Sequence, residues 1–302
     1  MKLGFLEEGQ IGEALDIMLL DPFANAPLIA YLTEFKGDSW FVYARDENGL
    51  RGLVAMASNC LTPVMAVWCD DGDLLRRMLV MAASRCPRAR DGFMWCLGSE
   101  RTMSLLTSVV HVECVREEVQ MKVALHGFSY ESRDHRLAGV VPLSAENLVD
   151  LNALYELVPP ETWRAEDVLR GPYRGVYEGS RLVAAAGVHW VTPWLAEIGN
   201  VAVHPDFRRR GLAEACVAAV VEELKGLTER VYLMVFADNL PALDLYDKMG
   251  FEEVQRMWLV GFRLESSSGT AARRAGRSGD LGSKTKTCGV RSIGTPTMAS
   301  SD

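Results

Sequence analysis

The segment Ala196–Ala213 reads AEIGNVAVHPDFRRRGLA, and the rest of the chain can be read outward from it. Glu197–Val203 is rich in Val and Ile, the composition of a strand. Pro205 cannot donate to a ladder, so the strand is expected to stop there. The basic run Arg208, Arg209, Arg210 is followed by Gly211, Leu212 and Ala213. Apolar residues then recur four apart at Leu212, Cys216, Val220 and Leu224, which predicts a helix. The first N–H groups of a helix have no partner inside it, and the macrodipole favours negative charge there. Three arginines and a glycine at that point make an anion site, and Gly211 lets the backbone approach a phosphate closely.

A second β-rich run, Arg230–Ala237 (RVYLMVFA), leads into Asn239, Ala242, Leu245, Tyr246, Gly250 and Phe251. Pro241 suits the first turn of a helix and Gly250 its exit. The spacing Arg208-x-x-Gly211-x-Ala213 after a Val-x-Val strand resembles the acyl-CoA pyrophosphate loop of the GNAT N-acyltransferases. The pattern N-x-x-A-x-x-L-Y-x-x-x-G-F at Asn239–Phe251 resembles the element that flanks the other side of the CoA arm in that family. Two such motifs in the right order, with one helix between them, are far more specific than either alone. The resemblance covers about residues 140–263.

The resemblance implies an N-acetyltransferase that takes an acetyl group from acetyl-CoA and gives it to the amine of a small molecule or amino acid. Arg208, Arg209, Arg210, Gly211, Leu212 and Ala213 would anchor the pyrophosphate, and Val201 and Val203 would offer backbone groups to the pantetheine arm. A backbone N–H on the same strand would serve the oxyanion, so no metal is expected. Glu197 is the candidate general base, or else a glutamate paired across strands; a carboxylate among Ile198, Val201 and Val203 needs a partner or a wet cleft. Tyr246 is the candidate general acid for the departing thiolate, or else a helix tyrosine packed on the sheet. Asn239 would bond the pantetheine arm or cap the helix at Leu240. Trp163, Tyr173, Trp190 and Trp194 shape an acceptor pocket or fill the core. Two other functions fit the same motifs: a non-catalytic acyl-CoA-binding regulatory module, and a protein-lysine acetyltransferase.

Composition sets outer bounds. The 302 residues are 49% hydrophobic, 8% aromatic and carry a net charge of −8. That balance argues against a general nucleic-acid binder. No apolar run approaches the roughly 20 residues a membrane span needs, and MKLGFLEEGQ lacks the layout of a signal peptide, so a cytoplasmic location is expected. Seven cysteines, at 60, 69, 86, 96, 114, 216 and 288, include no C-x-x-C pair and are expected to be free thiols. Five scattered histidines offer no metal-ligand spacing.

The fold class expected is α/β (α+β), with two tandem GNAT-like domains, each a mixed, mostly antiparallel sheet flanked by helices. Residues 1–125 alternate helix and strand, with a hairpin at Asp46-Glu47-Asn48-Gly49 and a helix capped by Ser99. The same element order recurs in residues 140–265, with a hairpin around Glu178-Gly179-Ser180. Residues 126–139 are expected to be a linker, and 266–302, rich in Ser, Gly and basic residues, a disordered tail. The first copy is degenerate. Its strand Val64–Trp68 runs into Cys69, Asp70, Asp71, Gly72 and Asp73, with aspartates where the second copy has arginines. Carboxylates there would repel a pyrophosphate, so only the second copy is expected to bind acetyl-CoA.

Overall fold

A computed structural model describes residues 1–57, 63–86, 93–129, 139–160 and 162–264. The expected tail, most of the expected linker, Cys60 and Cys288 lie outside the described residues. The chain forms two compact units. Among the described residues, the first is Met1–Glu117 with residues 256–264; the second is Glu118–Gln255.

The first unit begins with β1 (Lys2–Phe5), α1 (Ile11–Met18) and α2 (Ala26–Leu32). Strands β2 (Ser39–Asp46) and β3 (Gly49–Ala57) form the expected hairpin, closed by Asn48 N–H donating to Asp46 Oδ1 at 2.8 Å. β4 (Val64–Cys69), α3 (Gly72–Ser84), β5 (Phe93–Ser99) and α4 (Glu100–Val109) follow, then β6 (His111–Val123). The α3 and α4 starts are set by side-chain caps, Asp71 accepting from Leu74 N–H and Ser99 from Thr102 N–H. The Asp71 carboxylate therefore occupies the helix start that an anion would need. Among the described residues of this unit, β4 and β5 pair in parallel, and β1–β2, β2–β3, β3–β4 and the pairing of β5 with Met257–Arg263 are antiparallel.

The second unit contains β7 (Val140–Leu143), α5 (Leu148–Leu157), β8 (Tyr173–Glu178), β9 (Arg181–Val191), β10 (Ala196–Val203), α6 (Leu212–Leu224), β11 (Val231–Phe236), α7 (Leu240–Lys248) and the start of β12 (Glu252–Arg263). Gly179, at φ +62, closes the β8–β9 hairpin. β7 to β10 are antiparallel neighbours, and β10 runs parallel to β11. One face of this sheet packs on α6 and α7 through Val188, Ile198, Leu233, Val235, Val217 and Tyr246. The other packs on α5 through Tyr173, Ala185, Ala202, Leu151 and Tyr155.

The boundary between the units runs through β6 and β12. Residues Glu118–Val123 of β6 pair antiparallel with β11, and Val119, Met121 and Val123 join the α6-side core of the second unit. β12 does the reverse: Met257–Arg263 pair with β5, and Val260 and Phe262 are buried in the first unit's core. Each half of the sequence thus supplies the strand that completes the other half's sheet. The alternation of apolar and polar residues that makes β6 a strand is the same whichever neighbour it pairs with.

Candidate active site

β10 carries the candidate residues because its two ends do different work. At its start, Ala196, Glu197 and Ile198 pair in register with Val231, Tyr232 and Leu233 of β11. Beyond that point β10 and β11 are no longer paired, although β11 continues to Phe236. A bulge between Gly199 and Ala202 shifts the register against β9, and Asn200 sits at φ +53. Such a φ is uncommon outside glycine and costs of order 1 kcal/mol. Buried partners offset it. Asn200 C=O accepts from Tyr155 Oη at 2.7 Å, and Asn200 Nδ2 donates to Tyr173 Oη at 2.7 Å. Asp167, 2% exposed, lies at the edge of this cluster, between Arg164 and Arg170 at 3.8 and 3.5 Å. Burial pushes the Asp167 carboxyl up, and the charges of His189 and Arg164 oppose that.

The bulge sorts the side chains of β10 onto two faces. Val201 and Val203 pack at the edge of the α6-side core, while Glu197 stands on the opposite face from the buried Ile198. Glu197 Oε2 accepts from Trp190 Nε1 at 3.0 Å and from Tyr232 Oη at 2.5 Å. His189 lies over Gly199 so closely that a Cβ there would stand 2.0 Å from its Nε2.

After β10, Pro205–Phe207 make a single 3-10 turn. Arg208 is extended, Arg209 is left-handed at φ +60, and Gly211 is left-handed at φ +75 as the N-cap of α6. The first bond of the helix is Ala215 N–H to Gly211 C=O at 3.0 Å, so the N–H groups of Leu212, Ala213 and Glu214 precede the ladder. Arg208 Nε reaches Val203 C=O at 3.4 Å, and Arg210 donates to Asp206 C=O at 3.2 Å while lying over the Phe207 ring. All three arginines are exposed, and among the described residues none of them pairs with a carboxylate. Around the position a Gly211 Cβ would take, the space is open apart from Glu214 Oε2 at 4.0 Å. Loop, cations and free donors together fit a phosphate ester.

Across the gap, Asn239 Oδ1 accepts from Ala242 N–H at 3.4 Å and caps α7, with Pro241 in the first turn. Tyr246 is 7% exposed, tilted against Phe251 with centroids 5.6 Å apart. Burial pushes its phenol up to about 12. Its hydroxyl makes no hydrogen bond among the described residues and is not among the side-chain oxygens sealed from solvent. Val201, Val203, Leu212 and Tyr246 thus all belong to the α6-side cluster, and Glu197 lies on the other face of β10. Trp163 and Tyr173 belong to the core beneath α5, and Trp190 is bonded to Glu197. The residues not foreseen are Asn200, Tyr155, Asp167 and Tyr232. A Gly199-Asn200 pair inside a strand is a turn-like signal that could have marked the bulge. Among the described residues no cluster of three His, Cys, Asp or Glu could hold a metal ion, and no helix is long and apolar enough to cross a membrane. The five described cysteines are free.

Residues 145–251 match the acetyltransferase (GNAT) family. The chain is similar to the ribosomal protein bS18-alanine N-acetyltransferase of Escherichia coli K12, 39% identical over 59 residues, which is 19% of this chain and 40% of that protein. It is likewise similar to an N-alpha-acetyltransferase of Sulfurisphaera tokodaii, 40% identical over 68 residues, 21% of this chain and 41% of that protein. The chain therefore spans under half the length of these curated relatives. Over 89% of its length it shares the fold of a tandem GNAT protein from the clavulanic acid biosynthesis pathway, covering 100% of that chain with a TM-score of 0.60 and 16% identity. The arginine–glycine loop, the parted strands and the tyrosine-bearing helix all lie inside the segment, residues 145–251, that matches the GNAT acetyltransferase family.

Proposed function

We propose that this protein is an N-acetyltransferase that moves an acetyl group from acetyl-CoA to the amine of a small molecule or amino acid. The observation that carries the proposal is the parting of β10 from β11 beyond Ile198, next to a basic loop whose guanidiniums have no carboxylate partner among the described residues. Acetyl-CoA, the donor substrate, supplies a thioester carbonyl that an amine can attack. Arg208, Arg209 and Arg210 would hold its pyrophosphate together with the backbone N–H groups of Gly211, Leu212 and Ala213. Val201, Val203 and the Asn239 amide would line the pantetheine arm. A backbone N–H on the unpaired part of β10 would donate to the carbonyl oxygen as charge develops there, so the scheme needs no metal ion.

The two candidate proton carriers serve opposite ends of the reaction. Glu197 takes the proton of the attacking amine as the new C–N bond forms, directly or through a water. Tyr246 gives a proton to the sulfur as the C–S bond breaks. Their positions on opposite faces of the sheet suit a reaction in which the amine arrives from the α5 side and the thiol departs on the α6 side.

The experiment is thiol release from acetyl-CoA in the presence of a panel of amines, including amino acids and peptides whose terminal amine is free. Amine-dependent release is expected. Binding of acetyl-CoA without release for any amine would replace the enzyme with an acyl-CoA-binding module.

A further inference from the structure

The sheet register places three side chains abreast. Glu197 on β10 is the direct cross-strand partner of Trp190 on β9 and of Tyr232 on β11. Such neighbours share a face with Cβ atoms about 5 Å apart. Both flanking rings are buried, at 2% and 1% exposure, and meet at 64° with centroids 6.0 Å apart. Both polar atoms converge on the same carboxylate oxygen, Oε2. Glu197 Oε1 makes no hydrogen bond among the described residues and is not sealed from solvent. A carboxylate free to rotate would expose both oxygens equally; this one is fixed by a rigid aromatic pair and offers one.

We infer that Trp190 and Tyr232 are positioning residues which clamp the Glu197 carboxylate through Oε2 and leave Oε1 as the atom that takes the acceptor's proton. The inference rests on the proposed acetyltransferase activity for its last step only; the clamp is a property of the folded chain. Neither ring carries the proton. Trp190 has no acceptor nitrogen to offer. Burial and the neighbouring Glu197 charge hold the Tyr232 phenol well above its ordinary range, so it remains a donor. Two donors on one oxygen favour one rotamer of the carboxylate. Among the described residues, the other titratable groups near this spot include His189 on β9 and Glu118 and Lys122 on β6.

The test combines a spectroscopic and a kinetic readout on the full chain. The Trp190 indole N–H resonance, assigned by its loss in Trp190→Phe, is expected to move as the protein is acidified. In Glu197→Gln that pH response is expected to vanish. A Trp190 resonance that ignores pH in the wild type overturns the clamp whether or not the protein is an enzyme. In the kinetics, Tyr232→Phe is expected to lower kcat at least about tenfold with KM for acetyl-CoA within twofold, a loss confined to the transition state. If Tyr232→Phe does not fold, Trp190→Phe is read the same way. Unchanged kcat in both variants reduces the pair to packing. A pH-responsive indole in a protein that releases thiol with no amine keeps the clamp and overturns the enzymatic proposal instead.

Discussion

Tyr246→Phe separates chemistry from stability. The hydroxyl has no hydrogen-bond partner among the described residues, so its removal leaves no buried group orphaned and the ring keeps its contact with Phe251. The stability change at neutral pH is expected to stay under about 1 kcal/mol. The rate is another matter. General acid catalysis contributes about 10²–10⁴-fold, or roughly 2.7–5.4 kcal/mol of barrier. A phenol pushed up to about 12 is a weak acid in water. The site is not water, however: Cys216, in the same core cluster, is also pushed up to about 12 by burial. A coenzyme thiolate released beside Tyr246 would meet the same apolar surroundings, which disfavour its charge and favour its taking a proton. Single-turnover thiol release is the assay, because steady-state turnover can hide chemistry behind product release. The same raised phenol predicts an alkaline weakness. A folded-state value of about 12 against an ordinary 10.0 contributes stability that is fully present below pH 10 and lost as pH rises through 12. The loss across that window is on the order of 1–3 kcal/mol. Urea unfolding at pH 8 and pH 11 should show a smaller loss for Tyr246→Phe than for the wild type. Single-turnover release within threefold of the wild type, with unchanged donor affinity, would refute the acid role.

Gly211→Glu adds a side chain at φ +75 and a second carboxylate beside Glu214, where a phosphate is expected; calorimetry should find acetyl-CoA binding abolished in a folded protein. Gly199→Ala brings a methyl to 2.0 Å from His189 Nε2 and should cost about 1–3 kcal/mol in urea unfolding. Adding His189→Ala should recover most of that loss, and purely additive effects would mean the crowding lies elsewhere. Titration calorimetry should find one acetyl-CoA per chain, because Asp71 already caps α3 in the first unit and Asp70 and Asp73 flank it; two per chain would count against that.

What could be read from the sequence was local. The proline stop of β10, the glycine start of α6, the Asn239 cap and the β2–β3 turn are each decided within a few residues. What could not be read depends on register. Nothing in the spacing of Trp190, Glu197 and Tyr232 says that they stand abreast, since the intervening chain is two strands, a loop and a helix. The Asn200 bulge depends on hydroxyls from Tyr155 and Tyr173 that lie 45 and 27 residues away in sequence. β1 and β7, four residues each, are too short to show a period.

The passage of β6 and β12 between the units makes one further demand on the chain. A fragment beginning at residue 126 contains every motif that resembles an acetyltransferase, yet it lacks the six residues, Glu118–Val123, that pair with β11. Their loss leaves the edge of Val231–Phe236 open, beside the gap that already separates it from β10. It also strips Val119, Met121 and Val123 from the core, where they are 2%, 5% and 6% exposed. At about 1.5–3 kcal/mol for each buried side chain, the loss is roughly 5–9 kcal/mol. That equals much of the 5–15 kcal/mol that holds a typical domain together. The bared strand would also invite pairing between copies. A fragment of residues 126–263 is therefore expected to aggregate or remain unfolded, while one of residues 111–255, which keeps β6 and omits the part of β12 that pairs with β5, is expected to fold. Circular dichroism with urea titration distinguishes them. Cooperative unfolding of the shorter-started fragment at wild-type stability would mean that β6 is an accessory to this sheet and not a part of it.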